Sequence, residues 1–169
     1  MGPHQGNSGG TRHGRTTSMF RGLYEHTIDA KGRTQCPARY RDVLQKTSSG
    51  AAPEQLVITT GLDACLVAYA PETWAAFEAR LATLSQFDPA VVRLKRIYVA
   101  SATECDIDKH GRLLLPPCLR AYAGLEKNIV WAGMVTTCEI WDQTAWNTRL
   151  AACREDRGAI AAALTELGL

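Results

Sequence analysis

The sequence predicts a strand-rich α+β fold in which two tandem copies of one unit form a single pseudo-twofold domain. Two observations lead there. Ile-Asp-x-x-Gly-Arg occurs at 28–33 and again at 107–112, and residues 25–41 share seven identities over 17 positions with residues 104–120. The identical pairs are Glu25/Glu104, Ile28/Ile107, Asp29/Asp108, Gly32/Gly111, Arg33/Arg112, Pro37/Pro116 and Arg41/Arg120. Further along, the offset falls from 79 to 72, and Gly61 meets Gly133, Tyr69 meets Trp141 and Trp74 meets Trp146. The seven-residue difference sits in the Ser/Gly/Ala loop "QKTSSGAAPEQ", which the second copy lacks. Two copies are too few for a solenoid but suit a domain in which each half buries what the other exposes.

Each copy reads the same way in order. "LYEHTI" alternates as a strand, and "DAKG" supplies a type I turn followed by a left-handed glycine. "RTQC" then begins the return strand, so the predicted hairpin carries Lys31 at its tip and Arg33 beside it. Pro37 opens a short helix over 37–45, strands "LVITT" and "CLVAY" flank Gly61, and Pro71–Glu72 start a helix to about 84. In the linker, Asp88 caps and Pro89 begins a helix with Val92, Arg96 and Val99 at helical spacing. The second copy repeats the scheme: a strand over 102–107, a turn at 108–111, a helix from Pro116 to Gly124, and strands at 128–132 and 137–141. Asp142 caps a final helix, and the Ala/Leu-rich C-terminus is helical too. The expected organisation is a disordered leader over 1–18, a first repeat over 19–70, linker helices over 71–100, a second repeat over 101–142 and C-terminal helices over 143–169.

Composition narrows the function. The leader is Gly/Ser/Thr/His-rich, with Arg12 and Arg15 and no acids, a composition that cannot bury itself. Six cysteines, none in a Cys-x-x-Cys pair and none preceded by a secretory signal, read as small core hydrophobes in a reducing, cytoplasmic compartment. No run approaches the roughly 18 apolar residues of a membrane helix. Phosphate-loop, dinucleotide, nucleophile-elbow and zinc-protease motifs are all missing. Glu104, Asp106 and Asp108 share a strand face, but Asp108 is committed to its turn, so they read as a solvated face rather than a metal site. Cys105, His110 and Cys118 lack zinc spacing. No catalytic residue, metal or cofactor is expected.

What remains is positive charge. Residues 19–46 carry six basic side chains (Arg21, Lys31, Arg33, Arg39, Arg41, Lys46) against three acids, a surplus of three, whereas 101–127 carry four against four. Neutralising phosphates supplies most of non-specific DNA affinity, so the first turn is the expected DNA face and the second is expected to serve packing. Asp29 with Arg33, and Asp108 with Arg112, can also pair to close their turns. An arginine so fixed is pre-oriented for bidentate contact with guanine or phosphate.

"MFRG" at 19–22, "DAKGR" at 29–33, "PARYR" at 37–41 and "DKHGRLLLPPCLR" at 108–120 resemble the MraZ family of bacterial transcriptional regulators associated with the division and cell wall gene cluster. "GLDACLVAY" and "CEIWDQTAW" resemble its further signatures. The resemblance implies two swapped-hairpin, SpoVT-AbrB-like half-domains in one barrel. It also implies a cytoplasmic, nucleoid-associated protein whose closed ring oligomers bind tandem direct repeats of promoter DNA. Carried over by position, Arg33 matches the DNA-contacting arginine, with Lys31, Arg21 and Arg41 on the same basic surface and Arg112 in the second motif. Asp29, Gly32, Asp108 and Gly111 match the structural positions of the two turns. The leader, Cys36 in place of a branched aliphatic and His110 in the second turn depart from the usual pattern. AbrB-like domains also serve as protein-binding antitoxin modules, which keeps a scaffold as the alternative.

Overall fold

The computed structural model describes residues 19–47 and 54–168; the expectation of a leader over 1–18 falls outside them. Among the described residues, eight strands and six α-helices follow in the predicted order. The first copy holds β1 (Leu23–Thr27), β2 (Arg33–Gln35), α1 (Ala38–Thr47), β3 (Gln55–Thr60) and β4 (Leu66–Tyr69). After α2 (Pro71–Ala82) and α3 (Pro89–Leu94), the second holds β5 (Thr103–Asp106), β6 (Arg112–Leu114), α4 (Pro117–Tyr122), β7 (Asn128–Met134) and β8 (Thr137–Asp142). Helices α5 (Gln143–Glu155) and α6 (Arg157–Glu166) end the chain.

Pairing, not order, is what the structure adds. All ladders are antiparallel, and the six-stranded sheet runs β1-β7-β8-β4-β3-β5. Exchanging each strand for its counterpart in the other copy (β1 with β5, β3 with β7, β4 with β8) returns the same order read backwards. Each copy's first strand therefore lies on the other copy's hairpin, and the β4–β8 pair sits on the pseudo-twofold axis. The predicted β1–β2 hairpin is corrected accordingly. Only an isolated bridge, Ile28 to Thr34, links those strands beyond the turn, and β2 instead forms its ladder with β6. β1 and β5 are the two ends of an open six-strand order; β2 lies beside the first and β6 beside the second.

One apolar cluster serves both halves, from Phe20, Ile28, Tyr40 and Leu44 to Leu113, Leu119, Trp131 and Ile140. Tyr40 is its hub: the ring meets Phe20 and Tyr24 edge-on at 5.2 Å and Trp131 at 6.2 Å, while its hydroxyl donates to the Gly22 carbonyl at 2.9 Å. The aromatic pair detected in the repeat recurs as one contact in both copies. Tyr69 meets Trp74 at 5.1 Å and 65°, and Trp141 meets Trp146 at 5.9 Å and 62°. Four cysteines are buried, and burial pushes the Cys36 and Cys65 thiols up to about 12, so they stay uncharged.

The caps fall where expected. Asp88 accepts from the Ala90 amide, and Asp142 accepts from those of Thr144 and Ala145. The linker helix departs from its predicted regularity, because Lys95–Val99 form a π-helical turn. Buried Thr59 and Thr60, on β3, donate hydroxyl bonds to the carbonyls of Tyr98 and Ile97. Those bonds accompany the widened turn and satisfy acceptors at its end. Among the described residues no helix is long and apolar enough to cross a membrane, and no group of three His, Cys, Asp or Glu is placed to hold a metal ion.

Candidate nucleic-acid interface

Asp29 opens the first turn and is used completely. Its backbone amide donates to the Arg33 carbonyl (2.8 Å) and its carbonyl accepts from the Gly32 amide (2.9 Å). Oδ1 accepts from the amides of Lys31 and Arg33, both at 2.9 Å, while Oδ2 accepts from Arg33 Nε (2.8 Å) and Nη2 (2.7 Å). The second turn repeats each bond. Asp108 Oδ1 accepts from the amides of His110 (2.8 Å) and Arg112 (3.0 Å), and Oδ2 from Arg112 Nε (3.0 Å) and Nη2 (2.9 Å). Gly32 and Gly111 close the turns at φ +83° and +76°, a region L side chains avoid.

These bonds hold both carboxyls at about 2, below their ordinary 3.8, with the backbone amide of the motif arginine as the largest cause in each. Because the folded value is depressed, the contribution to folding is fully present above pH 3.8 and is lost as pH falls through about 2. Carboxylate resonances of Asp29 and Asp108 should therefore titrate near pH 2. In Arg33→Ala, the Asp29 midpoint should rise only part of the way to 3.8, because the backbone donors remain.

The last arginine of each motif does something its position in the chain did not announce. A Cβ on Gly32 would lie 2.9 Å from the Arg120 guanidinium carbon, and one on Gly111 would lie 2.8 Å from that of Arg41. Each turn is thus backed by the arginine of the other copy. The exchange extends to the backbone: the Leu115 amide donates to the Gly32 carbonyl, and the Cys36 amide to that of Gly111, both at 2.9 Å. Arg41, expected on the DNA surface, has its Nε sealed from solvent with no hydrogen-bond partner. Gly111→Ala should therefore destabilise the fold by more than the about 1–2 kcal/mol that a left-handed residue costs by itself. Gly124→Ala, at φ +58° with nothing within 4 Å of its Cβ, should show the conformational cost alone. Chemical denaturation of the two variants separates strain from collision.

The structure brings some of the predicted residues together and separates others. Arg33 and Arg112 line one shallow cleft with His26, Thr27, Asp29, Thr34 and Gln35. Lys31 and Lys109 are exposed in the adjoining turns. Arg21 is exposed but stands beyond the far end of β1, up to roughly 26 Å of extended chain from Asp29, where the turn opens. His26, Gln35 and Arg120 were not singled out by sequence. The signal available was the repeated motif itself, whose final arginine must do the same work twice. Burial lowers the pKa of His26, which keeps it neutral at pH 7.

Reciprocal strand exchange with one aspartate-locked, arginine-bearing turn per copy defines a tandem-repeat α+β protein of two interdependent half-domains. The family model described as "MraZ protein, putative antitoxin-like" matches residues 19–97 and again 98–166. The "Transcriptional regulator MraZ" of Thioalkalivibrio sulfidiphilus is 44% identical over 128 residues, 76% of this chain and 83% of that protein. Proteins of the same name from Acetivibrio thermocellus and Desulfitobacterium hafniense are 42% and 38% identical, over 77% and 89% of this chain and 85% and 100% of their own lengths. The chain belongs to the MraZ family.

Proposed function

We propose that this protein is a sequence-specific DNA-binding transcriptional regulator of the division and cell wall gene cluster. In this reading it works in the cytoplasm at the nucleoid, and its first turn enters a groove of promoter DNA. The observation that carries the reading is the pair of aspartate-locked turns with both motif arginines in one cleft. The name its relatives carry, transcriptional regulator MraZ, supports it. A net charge of only +2 per chain gives weak binding by one copy. A closed ring docked on tandem direct repeats makes each later contact intramolecular, and this raises affinity without new contacts.

The test is a titration of the duplex upstream of the protein's own gene beside a scrambled duplex, at two salt concentrations. The repeats should bind more tightly, with an affinity that falls steeply as salt rises. Equal affinity for both duplexes would overturn sequence-specific regulation. The antitoxin-like wording of the family description favours one second reading, a scaffold that binds another protein. Stoichiometric capture of one protein after nuclease treatment, with no preference for the repeats, would support that reading instead.

A further inference from the structure

We infer that Arg33 and Arg112 grip the same oxyanion, one backbone phosphate of the DNA, so that a single nucleic-acid contact is assembled from both repeats. This rests on the DNA-binding reading above and deepens it, since the charge count along the chain left the second turn a packing role.

The register places the two arginines. In the β2–β6 ladder Arg33 lies opposite Leu114, Thr34 opposite Leu113 and Gln35 opposite Arg112. Thr34 and Leu113 are the central pair; both are buried, so they face inward, and their flanking residues face outward. Arg33 and Arg112 are therefore diagonal neighbours on the outer face, at a separation long side chains span. Both line the same cleft, whose volume of about 210 Å³ holds several waters or one tetrahedral oxyanion.

Orientation and charge agree with that placement. Each guanidinium gives Nε and Nη2 to its own aspartate, and Nη1 takes no part in either pair. The aspartates thus fix two planar forks and leave each an Nη1 edge for a further acceptor. The carboxylate lining the cleft, Asp29, already accepts four bonds from the turn. The other solvent-accessible side chains lining the cleft are polar: His26, Thr27 and Gln35. Local charge is also higher than the chain count implies. The two turns and the arginines behind them gather Lys31, Arg33, Arg41, Lys109, Arg112 and Arg120 against Asp29 and Asp108, six cations against two carboxylates.

A shared phosphate has a signature that separate contacts lack. Each neutralised phosphate contributes about 0.9 to the slope of log affinity against log salt. With one arginine removed the other still neutralises the shared phosphate, so Arg33→Ala and Arg112→Ala should each weaken binding with little change in slope, while the double variant should lower the slope by about that amount per docked subunit. Arg33→Lys and Arg112→Lys retain the charge and should retain most of the slope, with thermal melts confirming that every variant is folded. A loss of slope in each single variant that doubles in the double variant means two phosphates and overturns the inference, as does an Arg112→Ala that binds like the parent. In both cases DNA binding itself stands. A parent that binds no duplex overturns the DNA reading and this inference together. In a second arm, inorganic phosphate titrated against the arginine Nε–H resonances should move Arg33 and Arg112 with one common affinity. If it does so while DNA leaves both unmoved, the cleft serves free phosphate and the DNA assignment fails.

Discussion

Replacing Trp131 with alanine should lower the unfolding free energy by about 3–5 kcal/mol, the range for a large aromatic removed from a packed core. At this chain length that is a fall of roughly 6–20 °C in Tm. Trp131 is completely buried at the middle of β7, opposite Tyr24 on β1 and Ile140 on β8, and packs edge-on against Tyr40. Its removal opens a void where both copies meet, because β1 and Tyr40 come from the first copy and β7 and β8 from the second. No single half can close that void alone. Trp131→Phe should cost much less. It fills most of the space, and it removes an indole N–H that is buried without a hydrogen-bond partner and so carries a desolvation penalty in the parent. A calorimetric series of parent, Phe and Ala variants at one protein concentration checks the ordering. Equal losses for Phe and Ala would show that the indole N–H is satisfied by a partner the packing does not reveal.

Much of this architecture was legible because the chain states it twice. Asp29, Gly32 and Arg33 stood out only through Asp108, Gly111 and Arg112, and the Tyr69–Trp74 contact was marked by its counterpart Trp141–Trp146. The strand exchange came only with the family resemblance, which implies swapped hairpins; the residue pattern by itself did not give it. A return strand beginning at Arg33 finds acceptable partners in its own copy or in the other, and local alternation does not distinguish them. Register is decided by which side chains reach the core, and here Thr34 against Leu113 settles it. Arg41 shows the same limit. Four residues beyond Pro37 it belongs to a basic run in the chain, yet in space it supports Gly111 of the other half. The π-helical turn was invisible for a different reason. Helical spacing is a local signal, and the hydroxyls of Thr59 and Thr60 that accompany the widened turn arrive from some 37–39 residues away.

Arg33→Ala should give the largest functional loss of any single substitution. If the arginine supplies one charge-assisted contact per subunit, its removal costs about 1.4–3 kcal/mol there, or tenfold and upward in affinity. On tandem repeats the losses multiply, so two engaged copies should weaken binding by about 100-fold or more. The fold and the assembly should be untouched, because the side chain is about one-third exposed and, among the described residues, its ion pair is with Asp29 in the same turn. That separates it from Arg120→Ala, which withdraws the guanidinium behind Gly32 and should loosen the turn that carries Lys31 and Arg33. In that variant, weaker DNA binding should come with faster amide exchange at Lys31 and Gly32; in Arg33→Ala the exchange rates should stay near parental, since Asp29 still accepts from the two backbone amides. Sizing by light scattering, amide exchange and a repeat-duplex titration on the same samples distinguish the two effects. An Arg33→Ala protein that assembles normally and binds the repeats as tightly as the parent would remove the first turn from the DNA surface altogether.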